Sequence, residues 1–195
     1  SKMITIRSPI QIRNHFSIPL NIFEEGRCLG TASPENEFNI PLSSYRSVLS
    51  LQPLPSENGG DSEYDMCEGI TFDEIMKKVD SLLQRKCQSV RSTNHSLIIN
   101  IVPVKDTLTS SLCAEDQWDF PYVVHLWPSV LLRNLLPYQI TYSVEGSGNK
   151  YETLQEGCSS QIHNAVLDQT KLDLQLLNYL DQNWKSEYHI KSNQP

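Results

Sequence analysis

The chain has 195 residues, enough to bury a sizeable core as one large or two small domains, and its 23 acidic against 16 basic side chains give a formal charge of −7. The Lys77-Lys78 and Arg85-Lys86 pairs stand alone, which excludes the dense basic footprint that nucleic acid requires. No apolar run reaches membrane-spanning length, no signal peptide is recognisable, and five scattered cysteines fit neither a zinc site nor a secreted disulfide scaffold, so a reducing cytosolic setting is expected.

In chain order, residues 4–7, 10–16 and 20–23 read as three strands separated by Ser8-Pro9 and Ser17-Ile18-Pro19. Residues 27–37 mix Gly, Ser, Pro and Asn and read mostly as loop, with a short strand around Cys28-Leu29. Phe38, Ile40 and Leu42 alternate, and residues 47–51 form a further strand before Pro53 and Pro55. Residues 56–65 make an acidic insert that is expected to be mobile, with Tyr64 its only candidate for the core. Residues 70–87 carry the one helical signal: Thr71 or Asp73 as cap, Asp73-Glu74 in the first turn, and Ile75, Met76, Val79, Leu82 and Leu83 at helical spacing. A competing reading makes 70–72 a strand and shortens the helix after it. Residues 96–102 are strongly β, and residues 105–118 read as a polar linker.

The stretch beyond that linker is the most informative. Val123, Val124, Leu126 and Trp127 precede Pro128; Val130, Leu131 and Leu132 lead into Arg133-Asn134; and Tyr138, Ile140, Tyr142 and Val144 alternate up to Glu145-Gly146. A period of two buries one face of a strand, whereas the earlier runs are too short and proline-interrupted for a helix. The start of the chain has the same order of apolar strand, Pro, apolar strand, Arg13-Asn14, Pro19, alternating strand and Glu25-Gly26, which implies a repeat of about 120 residues. Residues 1–104 are then a first β-rich module and 119–195 a second. Residues 151–154 and 162–167 continue the second module. In residues 171–177, Leu172, Leu174 and Leu176 alternate with polar residues, as a counterpart of 47–51, and residues 184–190 answer to the region of Phe72. Nothing answers to 96–102, so the second module is expected to be incomplete, with an adhesive open edge. The ends of the chain read as those of an excised segment. The fold class is mainly all-β: tandem β-sandwich-like repeats with one short helix inserted in the first.

No catalytic constellation emerges. The five histidines lack a paired metal spacing, the serines lack a strand-turn-helix nucleophile setting, and the glycines stand singly or in turns. The expectation is a protein that is not an enzyme, with no catalytic residue, metal or cofactor. His125, between Val124 and Leu126, is expected on the opposite strand face from both. Arg133 and Asn134 sit among apolar neighbours, where an amide must find partners. One reading has Asn134 tie a turn through local backbone bonds, as Asn14 does in its own module. The other has an Asn amide offered to an incoming peptide backbone. The two are compatible. Trp118, Phe120, Tyr122, Trp127, Tyr138 and Tyr142 crowd one region, either as core or as the aromatic surface on which extended or proline-rich peptides dock; Trp118 is expected to be exposed.

The phrases ITIRSPIQIRNHFSIPLNIFEEG, SPENEFNIPLSSYRS, CEGITFDEI, INIVPVKD and DFPYVVHLWPSVLLRNLLPY together resemble the adaptor-binding repeat region of the vacuolar protein sorting thirteen family of bridge-like lipid transfer proteins, over essentially the whole chain. The resemblance implies a non-enzymatic array of β modules, each with a key asparagine, here Asn14 and Asn134. It further implies a receptor for Pro-x-Pro peptides of organelle adaptors, bound by strand addition, at membrane contact sites on the cytoplasmic face of organelles. Its candidate peptide-binding residues are Asn134, Asn14, Arg133, Trp127, Leu136 and Tyr138. Its partners are such adaptors and neighbouring repeat modules, with membranes reached only through the adaptors. In the alternative reading these modules are structural spacers and peptides bind elsewhere in the parent protein.

Overall fold

The computed structural model describes residues 1–4, 6–54, 61–92, 95–107, 121–148 and 150–192. The chain forms two compact units, Ser1–Thr93 with Ile99–Trp127, and Asn94–Ile98 with Pro128–Pro195. The fold is mainly β with a single short helix among the described residues, in tandem sandwich-like repeats.

In the first unit, β1 (Ile10–Asn14), β2 (Leu20–Glu24), β3 (Arg27–Ala32), β4 (Glu37–Asn39) and β5 (Leu49–Pro53) are followed by α1 (Phe72–Lys77), β6 (Leu83–Gln88), β7 (Ser96–Lys105, of this unit from Ile99 on) and β8 (Tyr122–Pro128, of this unit up to Trp127). They build a five-stranded sheet, β4-β1-β8-β7-β6, and a three-stranded sheet, β3-β2-β5. Alternation sets the inward faces: Ile10, Ile12, Leu20, Ile22, Leu49 and Leu51 are all buried, as are Val124 and Leu126. Glu25 and Gly26 both have positive φ, as a two-residue hairpin between β2 and β3 requires. Gly30 is needed for a different reason: a Cβ there would lie 2.4 Å from the Phe38 ring, so the absent side chain lets β3 pass close to β4.

Three expectations change. The helix covers only Phe72–Lys77, because Leu83–Gln88 is instead β6 at the edge of the five-stranded sheet, while Ile70 bridges Leu49; the competing, shorter reading is the one observed. Residues 27–32 are a full strand because they pair with β2. Ile4 and Ile6 belong to no strand and are 87% and 91% exposed. Residues 56–60 of the acidic insert and 108–118 of the linker, Trp118 included, together with Phe120, lie outside the described residues. Tyr64, at the insert's end, is half-buried and bridges Ser89.

The second unit contains β9 (Val130–Arg133), β10 (Ile140–Val144), β11 (Glu152–Leu154), β12 (Ser159–Ile162), β13 (Lys171–Tyr179) and β14 (Gln182–His189). Its sheets, β12-β9 and β11-β10-β13-β14, reproduce the pairings of the first unit. β9 pairs antiparallel with β12 as β1 does with β4, and β10 lies between β11 and β13 as β2 does between β3 and β5. Tyr142, Leu154, Ile162, Ala165, Leu172 and Ile190 form its core. Residues 184–190, read as the counterpart of the Phe72 region, fall mostly in β14, a hairpin strand on β13. The expected strand at 162–167 is displaced to Ser159–Ile162, in register with β9.

Candidate functional site

Asn14 is the last residue of β1 and Asn134 directly follows β9, and the two are 1% and 2% exposed. An amide so deeply buried is stable only if its donors and acceptor are used. Asn14 Nδ2 donates to the carbonyls of Ile18 (2.9 Å) and Ala32 (2.8 Å), and its Oδ1 accepts from Phe16 N (2.8 Å). Asn134 repeats the device: Nδ2 donates to the carbonyls of Tyr138 (2.7 Å), Leu154 (3.1 Å) and Gln155 (3.2 Å), while Oδ1 accepts from Leu136 N (3.0 Å). In each unit one amide fixes the turn that follows its strand and fastens it to the facing sheet, through Ala32 in β3 or Leu154 in β11.

The turn held by Asn134 is where the second unit presents apolar surface. Leu135, Leu136 and Tyr138 are 75%, 49% and 47% exposed. The Tyr138 ring meets Tyr179 edge-to-face, with centroids 4.8 Å apart. Beside them lies a cleft of about 470 Å³ lined by Pro137, Tyr138, Gln139, Glu156 and residues 176–180. Asn134, Leu136 and Tyr138 are thus brought together. Tyr179, Leu177, Leu180 and Glu156 join them without having been singled out in the sequence. Arg133 is exposed and forms no ion pair among the described residues, whereas its counterpart Arg13 pairs with Glu37 at 2.7 Å. The difference follows from register, since Arg13 faces Glu37 but Arg133 faces Ser159.

Trp127 lies in the first unit, stacked flat on His15 with centroids 3.6 Å apart. His15 Nε2 and His125 Nδ1 are hydrogen-bonded at 2.8 Å. Both imidazoles are held below their ordinary pKa, chiefly by burial; nearby Arg13 lowers both, His15 adds to the effect on His125, and Glu35 partly offsets it on His15. Among the described residues no group of three or more His, Cys, Asp or Glu side chains is placed to hold a metal.

With these repeats established, the comparison with known proteins is decisive: the model of the vacuolar-sorting associated protein 13 adaptor binding domain matches residues 1–194. The chain belongs to the VPS13 adaptor-binding domain family. It is 57% identical over 195 residues to the intermembrane lipid transfer protein VPS13A of Mus musculus, covering all of this chain and 6% of that protein. It is 34% identical over 205 residues to VPS13C of Homo sapiens, covering all of this chain and 5% of the relative. Identity to VPS13C of Mus musculus is 34% over 200 residues, or 97% of this chain and 5% of the relative. The chain therefore spans about one-twentieth of the length of these relatives. As a VPS13 adaptor-binding domain, it is a binding module and not an enzyme.

Proposed function

We propose that this VPS13 adaptor-binding segment is part of a lipid transfer protein and takes up Pro-x-Pro peptides of organelle adaptors, drawing the parent protein to membrane contact sites on the cytoplasmic face of organelles. The observation that carries the reading is the cleft beside Tyr138 and Tyr179. Proline rings pack on aromatic faces at small entropic cost, and an extended peptide completes its hydrogen bonds on a sheet edge. Leu136 and Tyr138 supply the apolar contacts, Arg133 a cation for peptide carbonyls or carboxylates, and Asn134 the backbone shape that keeps them in place. Asn14 and Trp127 play the corresponding parts in the first unit. The module limits 1–104, 105–118 and 119–195 are kept as proposed boundaries of the sequence repeat.

A second reading is favoured by one specific fact. The Asn14 and Asn134 amides already spend their hydrogen bonds on the chain itself, as a pure spacer would require. Calorimetric titration of Pro-x-Pro peptides, with di-alanine controls, separates the two. Proline-dependent heat that Tyr138→Ser and Leu136→Ser weaken more than about tenfold supports the receptor. A folded chain giving no proline-dependent heat supports the spacer.

A further inference from the structure

Residues 63–70 lace the two sheets of the first unit together. Asp65 N donates to the Gln88 carbonyl (2.8 Å) and Val90 N to that of Glu63 (2.9 Å), which holds residues 63–65 against the end of β6 in the five-stranded sheet. Two residues on, Cys67 N donates to the Leu51 carbonyl (2.9 Å), and Ile70 and Leu49 exchange both backbone bonds (2.7 and 2.9 Å). Residues 67–70 therefore lie along β5, in the three-stranded sheet. Cys67 stands where the segment passes from one sheet to the other, and Cys87 meets it from β6. Both thiols are buried, at 5% and 0% exposure. Both also touch the peptide groups of one residue: Leu51 N donates to Cys67 Sγ (3.3 Å), and Cys87 Sγ donates to the Leu51 carbonyl (3.6 Å). The N–H and C=O of one strand residue leave on the same edge. This brings the two sulfurs together, and they hydrogen-bond each other.

The two thiols are not equivalent. Leu49 N ends on the Ile70 carbonyl, as a strand ladder requires, whereas Leu51 N ends on a sulfur. A neutral thiol accepts weakly and an ionised acceptor strongly, so this buried N–H favours the thiolate form of Cys67. The hydrogen bond from Cys87 is the largest influence lowering the Cys67 pKa; burial opposes it, while Leu51 N and the Arg85 charge add to it. Arg85 is fixed nearby by its bonds to Glu74 (2.7 Å) and the Gly69 carbonyl (3.2 Å). Cys87 is pushed the other way by the same hydrogen bond and by burial, so it keeps its proton. A thiolate beside a protonated thiol is the arrangement in which oxidation of the first is resolved by the second. We propose that Cys67 and Cys87 form a peroxide-responsive pair, in which oxidation closes a disulfide between the lacing segment and β6. The Cys67 thiolate attacks one oxygen of hydrogen peroxide; the S–O bond forms, the O–O bond breaks, and the hydroxide that leaves takes up the proton Cys67 had given up. The Cys87 sulfur then attacks the sulfenic acid on Cys67; the S–S bond forms, the S–O bond breaks, and the hydroxyl departs with the Cys87 proton as a second water. The two thiols lose two electrons and the peroxide gains them. The bridge closes a loop that contains α1 and so restricts the unfolded chain. It involves neither Tyr138 nor the proline cleft, and it is tested separately from peptide uptake.

Treating the unaltered chain with an equimolar amount of hydrogen peroxide, blocking the remaining thiols with N-ethylmaleimide and mapping tryptic peptides tests this. Cleavage after Arg85 and Lys86 places the two cysteines in separate peptides. The expected product is a Cys67–Cys87 cross-link that dithiothreitol reverses and that forms about tenfold faster than the exposed Cys28 and Cys158 are oxidised. The oxidised chain is expected to melt about 5 °C above the reduced one. Cys87→Ser should leave Cys67 as a sulfenic acid that dimedone traps, whereas Cys67→Ser should leave Cys87 unlabelled. Peroxide that leaves both thiols reduced, or that pairs either of them with Cys28 or Cys158 instead, overturns the proposal, as does equal dimedone labelling of the two variants. The map of the unaltered chain decides the matter if a serine variant fails to fold.

Discussion

Asn134 shows how one buried amide organises a surface. Replacing it by Ala removes the side-chain donor and acceptor and orphans the Tyr138 and Leu154 carbonyls and Leu136 N, so a loss of about 3 kcal/mol is expected, measurable by urea unfolding. Asn14→Ala is expected to match it within about 1 kcal/mol, because the two amides do the same work in equivalent turns; a near-neutral result for either would show that its carbonyls find other partners. The His15–His125 pair gives a pH prediction. Both folded-state pKa values lie below the ordinary 6.5, so the unfolded chain binds more protons in weak acid. The pair's contribution is fully present above pH 6.5 and is lost as pH falls below it towards the depressed values. Unfolding followed by tryptophan fluorescence from about pH 7.5 to about 5.5 should therefore show declining stability, and His125→Gln should flatten that decline. The need for Asn134 to find local partners was legible in the sequence, from its apolar surroundings. Tyr179 was not: 41 residues separate it from Tyr138, and only the pairing of β10 with β13 brings their rings together.

At the scale of elements, α1 is short but well begun. Thr71 Oγ1 accepts from Glu74 N (3.2 Å), Glu74 Oε2 accepts from Thr71 N (3.0 Å), and Arg85 holds the other carboxylate oxygen at 2.7 Å. A six-residue helix has little propagation to offset its nucleation, so the reciprocal cap matters. Thr71→Ala is expected to destabilise the fold by about 1 kcal/mol in denaturant titration, and Thr71→Ser to restore most of it. Thr71 was one of two caps open in the sequence, with Asp73, and its reciprocal bonds with Glu74 decide between them; the end of the helix was not readable. Val79, Leu82 and Leu83 fit a helical period, yet residues 83–88 are drawn into a sheet edge, where Cys87 is buried and Gln84 bonds Asn100 at 2.9 Å. Local spacing cannot register a partner strand that follows later in the chain.

For the whole molecule, the repeat was legible because two dipeptides recurred in order amid matched apolar runs, and the strand pairings reproduce it. No described helix is long and apolar enough to cross a membrane, and a net charge of −7 disfavours anionic surfaces. Co-sedimentation with vesicles rich in phosphatidylserine is therefore expected to leave this chain in the supernatant at low salt; pelleting would point to direct lipid contact in place of recruitment through adaptors. The parallel seam of the first unit bears finally on synthesis. Gln11 lies beside Val123, so a ribosome must deliver well over half of this sequence before β1 acquires its second neighbour. Until then its edge is exposed on the nascent chain, in the slow, non-local class of folding events that invites mispairing. A cell making this domain must protect that edge while translation is still under way.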